Sequence, residues 1–506
     1  MGWALSRILT RMLTPRTVRY LGLVGSLLTA ICAYLGGAEL LRGHAYNVVK
    51  MLRGDLGVLL PVCWVAGTTL LIVAWWFGRK VVPSTRWAMV TAGLWALPLL
   101  AFLPLGSEDV YSYACQGYVQ LAGGDPYGTS AQVFGCPWIS SVSQAWRDSP
   151  APYGPLFLLL SAAAVRVGGN LVGIVAMFRL IAVAGVVLIA AGVPVLARRA
   201  GVSPTTATWT VLACPLVLVH LVSGAHNDAV MIGLLVAGLA LVASRPDAGA
   251  KPAVAPLLPR SAALVLGGAL LGLALGVKAT AIVVLPFAVL AAVPRGVSLR
   301  ALVRPAAAVG GGALGALAAL SLLSGRGVGW AYGLLRSGDT VEWTSPSTAV
   351  GVTLTRFVAV FGVHVDALPA VRLIATVLLV PALVALWWLA RRGDALLGAG
   401  LALAMTVVLA PVFHPWYAIW PLAVLAATWS RSEATFTRWV LVPCAVAATL
   451  AIPDGYNWAL ATKTQGSVLM TAALVVLAVW LVRRYRAVLR PRTPESFLAP
   501  ESADAH

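Results

Sequence analysis

The chain has 506 residues, 60% of them hydrophobic and only 10% charged, with a mean hydropathy of +0.89. A soluble domain carries about 25% charged residues, so the composition excludes a soluble globular protein and implies one integral to a membrane. The formal net charge of +19 comes with no nucleic-acid-binding motif; it is read as charge in short loops between apolar spans, where it sets topology, and no nucleic acid partner is expected.

The N-terminal stretch 1–19 contains Arg7, Arg11, Arg16 and Arg19 and is expected in the cytoplasm. The first apolar run, from residue 20, is long enough to span and has no A-x-A-like site behind it, which argues against a cleaved signal peptide. At roughly 20 residues per span, candidate spans begin near residues 20, 57, 87, 171, 204, 228, 261, 279, 304, 368, 395, 416, 437 and 466. These fourteen form an all-α membrane domain over 20–485, with a polar tail at 486–506. With the N-terminus inside, 24 of the 36 Lys and Arg lie in inner segments, a positive-inside bias that places both termini in the cytoplasm. This topology requires the apolar segment 156–167 to lie at the interface, because it is too short to span.

The longest polar interruption follows the third span. It forms a first outer loop, 106–170, and a second outer loop covers 325–366. Cys115 and Cys136 share the first loop, and an oxidising compartment would permit a disulfide between them; the other four cysteines lie in apolar spans, where Cys acts as a small hydrophobe. The first loop opens with Glu108 and Asp109, directly after the apolar run 94–105. A solvated loop start is the bland explanation. Just past a helix C-terminus, however, the helix dipole disfavours carboxylates, and the pair is read as functional.

Other polar residues gather at the outer span ends: His226-Asn227-Asp228, Lys278 and His414-Pro415-Trp416-Tyr417. Asn227 or Asp228 suits a helix cap, Lys278 a snorkelling lysine, and Trp416 and Tyr417 an interfacial aromatic belt. None of these explains the histidines, and a lysine on the outer side runs against the charge bias. Arg179, inside a span, is expected to pair with an acid or a lipid headgroup. Acids, imidazoles, a lysine and aromatics on one side of a membrane fit group transfer from a lipid-linked donor. A carboxylate would act as general base on an acceptor hydroxyl, and cations would hold the donor phosphate as it leaves. No Walker-type loop and no His/Cys metal cluster accompanies them.

Five stretches carry a more specific signal: SEDVYSYACQGYVQLAGGDPY, APYGPL, GAHNDA, GVKATA and HPWY, in that order. The acidic pair opening the first outer loop resembles the GT-C glycosyltransferases. The five words together resemble the actinobacterial polyprenol-phosphate-mannose-dependent α-(1→6)-mannopyranosyltransferases, the MptA/MptB group. The resemblance implies a polyprenyl-phosphomannose donor, a growing α-(1→6)-mannan on a lipid anchor as acceptor (the core of lipomannan and lipoarabinomannan), and an active site on the outer face of the plasma membrane. Passing from a β-phosphate to an α-linkage inverts the anomeric carbon and needs one base. Asp109 is assigned that role, with Glu108 beside it as a positioning partner or metal ligand. Lys278, His414, Arg336 and His226 are assigned to the donor phosphate. Tyr111, Tyr113, Tyr127, Tyr153, Asp228, Trp416 and Tyr417 are assigned to sugar and acceptor. Catalysis without a metal is expected, with a divalent cation the alternative. Two competing readings are a GT-C enzyme using another polyprenyl-phosphate sugar such as arabinose, and a lipid-linked sugar transporter. The latter would place ionisable groups near the bilayer midplane, where only Arg179 is expected.

Overall fold

The computed structural model describes residues 14–38, 58–243, 258–334, 340–455 and 457–489. Among these residues no strand occurs and helices dominate. The N-terminal part consists of α1 (Pro15–Gly36), α2 (Leu59–Val81), α3 (Thr85–Leu99), α4 (Asp109–Leu121), α5 (Pro155–Gly168), α6 (Leu171–Arg199) and α7 (Pro204–Leu212). Next come α8 (Asp228–Ala243), α9 (Arg260–Leu275), α10 (Leu285–Ala291) and α11 (Val303–Leu323). The C-terminal part holds α12 (Pro346–Val360), α13 (Leu368–Arg392), α14 (Ala395–Leu409), α15 (Ile419–Thr428) and α16 (Lys463–Leu489). Among the described residues, six helices are long and apolar enough to cross a membrane: α1, α2, α6, Leu299–Leu323, α13 and Lys463–Arg483. A seventh span results if α7 is counted with the π-helical turn Val217–Ser223, which follows it at a 64° bend. Each of the fourteen stretches expected to span is helical, but the remainder are short or broken. Around residue 437, for example, a π-turn joins two one- or two-turn helices.

The helix starts follow local chemistry. Ser84, Asn170 and Ser203 accept N–H bonds from the first turns of α3, α6 and α7, satisfying otherwise orphaned donors. Asp394 does the same for α14 through two N–H groups, at 2.9 and 3.0 Å. Small residues then let the helices approach closely. A Cβ on Gly185 of α6 would run into the backbone of Ala229 in α8. That contact fixes where the N-terminus of α8, and with it His226 and Asp228, sits against α6.

Two sequence expectations change here. Glu108 and Asp109 do not follow a helix C-terminus: α3 stops at Leu99, and α4 begins at Asp109 with Glu108 in the capping position. Pro104 and Gly106 (φ +74°) hold the intervening chain out of helix. The pair therefore sits where the dipole favours negative charge. The second outer loop is not all loop, because α12 occupies 15 of its residues. Ser345 at its N-cap, Pro346 in its first turn and Gly362 (φ +77°) after its end bound that helix, which is the usual start-and-stop chemistry. In addition, Cys115 in α4 and Cys136 are joined by a disulfide with a Cα–Cα distance of 5.5 Å.

Arg179, expected to pair with an acid or a lipid headgroup, has protein partners of another kind. Instead of an acid, it donates to the backbone carbonyls of Leu100 (3.0 Å), Phe102 and Ser223 (3.4 Å). It thereby ties the chain leading to Glu108 to the π-turn leading to His226.

Candidate active site

The site is assembled where α4, α8 and the loop after α14 present their ends. The Ser107 hydroxyl accepts the N–H of Asp109 at 3.0 Å, which starts α4 with the Asp109 carboxylate turned inward and only 7% exposed. Gly106 donates to the Pro453 carbonyl at 3.1 Å. Gly455 (φ +96°) lies so close to Ser107 that a Cβ there would sit 2.7 Å from its Cα. The turn at 453–455 thus grips the stretch that leads into the acids.

Beside Asp109 stands the buried His226, whose Nδ1 is 3.6 Å from Asp109 Oδ2 and 3.4 Å from the Tyr113 hydroxyl. Ala225, with φ 51°, is the one non-glycine residue at positive φ among those described. That costly conformation turns the chain from the π-turn into α8. Trp416 packs against His226 with ring centroids 4.0 Å apart and stacks on His414 at 4.7 Å. His414 Nδ1 is 3.2 Å from Glu342 Oε1, and Glu342 Oε2 accepts from Asn457 Nδ2 at 2.9 Å. Asp228, fully buried, accepts both 2.9 and 3.0 Å bonds from Lys278 Nζ and a 2.6 Å bond from Trp420 Nε1. The Lys278 ammonium also lies 4.6 Å from the centre of the Tyr417 ring.

A cavity of about 280 Å³ opens over this cluster, lined among others by Glu108, Asp109, Arg147, Glu342, His414 and Trp416. Burial is the main influence on both acids. It raises Asp109 above the usual carboxylate range, partly offset by His414, Lys278 and the Ser107 hydroxyl. Burial and then Asp454 push Glu108 up to about 7, against the pull of Arg147. For His414, burial disfavours the charged form, but the Glu342 carboxylate outweighs it and the imidazole is raised. A carboxylate with raised basicity facing a cavity beside a cation suits proton abstraction coupled to charge stabilisation.

Of the residues singled out in the sequence, Glu108, Asp109, His414 and Trp416 line the cavity, and His226, Tyr113, Tyr417, Lys278 and Asp228 back it. Tyr153 stacks edge-on against Tyr113 at 5.2 Å. Tyr111 donates to the Ala38 carbonyl at 2.7 Å and acts as a strut. Tyr127 belongs to a separate small cluster with Ala151 and Leu158, against Trp330. Arg336 lies outside the described residues. Glu342, Asn457, Asp454 and Arg147 reach the cavity without having been singled out as site residues. Glu342 carried one usable signal: in a chain with 17 acids, it sits beside Trp343 in the second polar interruption.

Residues 19–294 match the model described as "Alpha-(1->6)-mannopyranosyltransferase, N-terminal domain", and residues 347–483 match the "MptB C-terminal domain". The chain belongs to the α-(1→6)-mannopyranosyltransferase family. It is 33% identical to alpha-(1->6)-mannopyranosyltransferase A of Mycobacterium tuberculosis, over 81% of this chain and 80% of that protein. A second alpha-(1->6)-mannopyranosyltransferase of the same organism is 30% identical over 96% and 90%. Alpha-(1->6)-mannopyranosyltransferase B of Corynebacterium glutamicum is 28% identical over 92% and 82%. No solved structure matches the chain. This mannopyranosyltransferase is therefore a glycosyltransferase, and its apolar helices fit a multi-pass membrane protein. Its cavity draws on both family regions, Asp109 and Arg147 from the first and His414 and Asn457 from the second.

Proposed function

We propose that this mannopyranosyltransferase transfers mannose from polyprenyl-phosphomannose to a growing α-(1→6)-mannan on a lipid anchor, with inversion at the anomeric carbon. The observation that carries this reading is the buried Asp109 carboxylate at the cavity wall, 3.6 Å from His226 and sharing the cavity with His414. Asp109 takes the proton of the acceptor 6-hydroxyl. The freed oxygen forms a bond to C1 of mannose as the C1–O bond to phosphate breaks, and polyprenyl phosphate leaves with the electron pair. His414, whose protonated form Glu342 favours, balances the charge on the departing phosphate. Lys278 gives both its hydrogen bonds to Asp228, so its part is to balance that buried carboxylate behind the cavity. Trp416, its ring already packed on His226 and His414, meets the sugars at its edge, and Tyr417 supports it from behind.

The same reading places the protein in the plasma membrane with the cavity outward, in a GT-C architecture whose fourteen helical stretches form the membrane domain. A divalent cation has no assigned step in it. The test is mannose transfer by the purified protein from polyprenyl-phosphomannose to a short α-(1→6)-mannoside. Asp109→Asn is expected to lower kcat by about 10²–10⁴-fold, the usual contribution of a positioned base, while the protein remains folded. Glu108→Gln is expected to retain more activity. A dead Glu108→Gln with an active Asp109→Asn reassigns the base, and no transfer by the wild type from this donor removes the proposal.

A further inference from the structure

A second polar cavity, of about 250 Å³, lies at the other end of the helices. Its place follows from α14. Asp394 caps the start of α14 at this cavity, while Ala410 and His414 follow its end at the carboxylate site. The 15 residues of α14 separate the two by about 22 Å at 1.5 Å per residue. Arg199, Arg295 and Arg391, each nearly a hundred residues from the next, line this cavity together with Asp394. The helix dipole accounts for an arginine at the C-terminal end of α6 or α13, and charge bias in loops accounts for arginines on one side of a membrane. Neither accounts for three of them meeting around one concavity.

Among the residues that line the cavity, arginines outnumber carboxylates. Asp394 is already engaged on both oxygens: Oδ1 accepts the N–H groups of Leu396 and Leu397, and Oδ2 is 3.3 Å from Arg295. One carboxylate thus faces three guanidinium groups. Arg391 stacks its guanidinium on Trp388 at 4.4 Å, and its Nε is buried without a hydrogen-bond partner. A buried donor left unpaired is costly, and a tetrahedral oxyanion is the ligand that guanidinium forks match best. Leu290 and Ala390, both buried, add apolar lining.

We propose that this cavity is a binding site for a phosphate-bearing anion, distinct from the site of mannose transfer. In a multi-pass membrane protein, the source that brings phosphate together with acyl chains is an anionic phospholipid headgroup.

The test uses the purified full chain in a neutral detergent, with thermal unfolding and native mass spectrometry as readouts. The probes are dioctanoyl phosphatidylglycerol, dioctanoyl phosphatidylcholine and inorganic phosphate. The anionic lipid is expected to bind at least fivefold more tightly than the zwitterionic one. Arg295→Gln and Arg391→Gln are each expected to weaken it about fivefold, with Arg295→Lys and Arg391→Lys closer to wild type. Arg392→Gln, next to the cavity but not lining it, should leave binding unchanged. Should Arg391→Gln not fold, Arg295→Gln alone carries the comparison, since Arg295 is largely exposed. If inorganic phosphate gives the whole arginine-dependent shift and the lipid adds nothing, the site is a phosphate site supplied from solution. Equal binding of the two lipids with no response to phosphate, or binding indifferent to both glutamine substitutions, overturns the proposal.

Discussion

At the scale of single residues, the site is governed by what burial does to charge. Glu342 holds His414 through Nδ1 and is itself held by Asn457, so removing its charge should act on the histidine without touching the carboxylates that line the opposite wall. The Glu342 carboxylate raises the His414 pKa. In Glu342→Gln that support is gone, His414 loses its proton at lower pH, and the alkaline limb of kcat/KM for mannose transfer is expected to move to lower pH. Glu108 supplies a separate measurement. Its carboxyl is raised from 4.5 to about 7 in the folded chain, so between those values the folded state binds more protons than the unfolded one. Stability attributable to Glu108 therefore falls as pH rises through that window. Glu108→Gln should flatten the fall in melting temperature from pH 4.5 to 7 and melt higher than wild type above pH 7. Asp109, His226, Lys278 and His414 stand out in the sequence because each is a polar residue at the edge of an apolar run in a chain with few charges. Glu342 does not, because it stands among other polar residues, and nothing local says that it will meet a histidine 72 positions away. Tyr127 shows the reverse case: a conspicuous Asp-Pro-Tyr word whose ring packs into a satellite cluster.

At the scale of elements, the acid pair depends on a turn far along the chain. Gly455 adopts φ +96° with the Ser107 backbone within 3.1 Å of where its Cβ would stand. Alanine there is strained by its dihedral and must also displace Ser107. Because Ser107 starts α4 and sets Asp109, Gly455→Ala is expected to lower kcat at least tenfold. Misplacing a reacting group by about 1 Å can cost about 10²-fold. Transfer rate measured beside the melting curve separates this from simple unfolding. The apolar run 94–105 misled the placement of the acids, since its hydropathy continues past the helix end at Leu99. The later signals, Pro104 and Gly106, were the ones that mattered. The second outer loop hid α12 in the same way: its capping residues were present in the sequence, but the polar residues around them read as loop.

At the scale of the whole molecule, the periodicity of apolar runs gave the places of the helices but not their lengths. Unbroken helices of 22 and 29 residues and a helix interrupted by a π-turn all arise from apolar runs, and packing against neighbours decides between them. The proposed orientation is open to direct measurement. Val133, 78% exposed beside the disulfide, replaced by Cys should react with a membrane-impermeant maleimide in right-side-out spheroplasts, and Arg392→Cys at the opposite end should react only after lysis. The reverse pattern would turn the cavity inward. One further consequence concerns the making of the chain. Glu108 and Asp109 emerge early from the ribosome, whereas Glu342, His414 and the 453–455 turn that seats them emerge hundreds of residues later. At roughly 5–20 residues per second, tens of seconds pass in which the acids exist without their grip or their histidine. On the proposed assignment of the acids, a chain still being threaded into the bilayer is thus an inert one, and sugar transfer waits until the 453–455 turn has emerged.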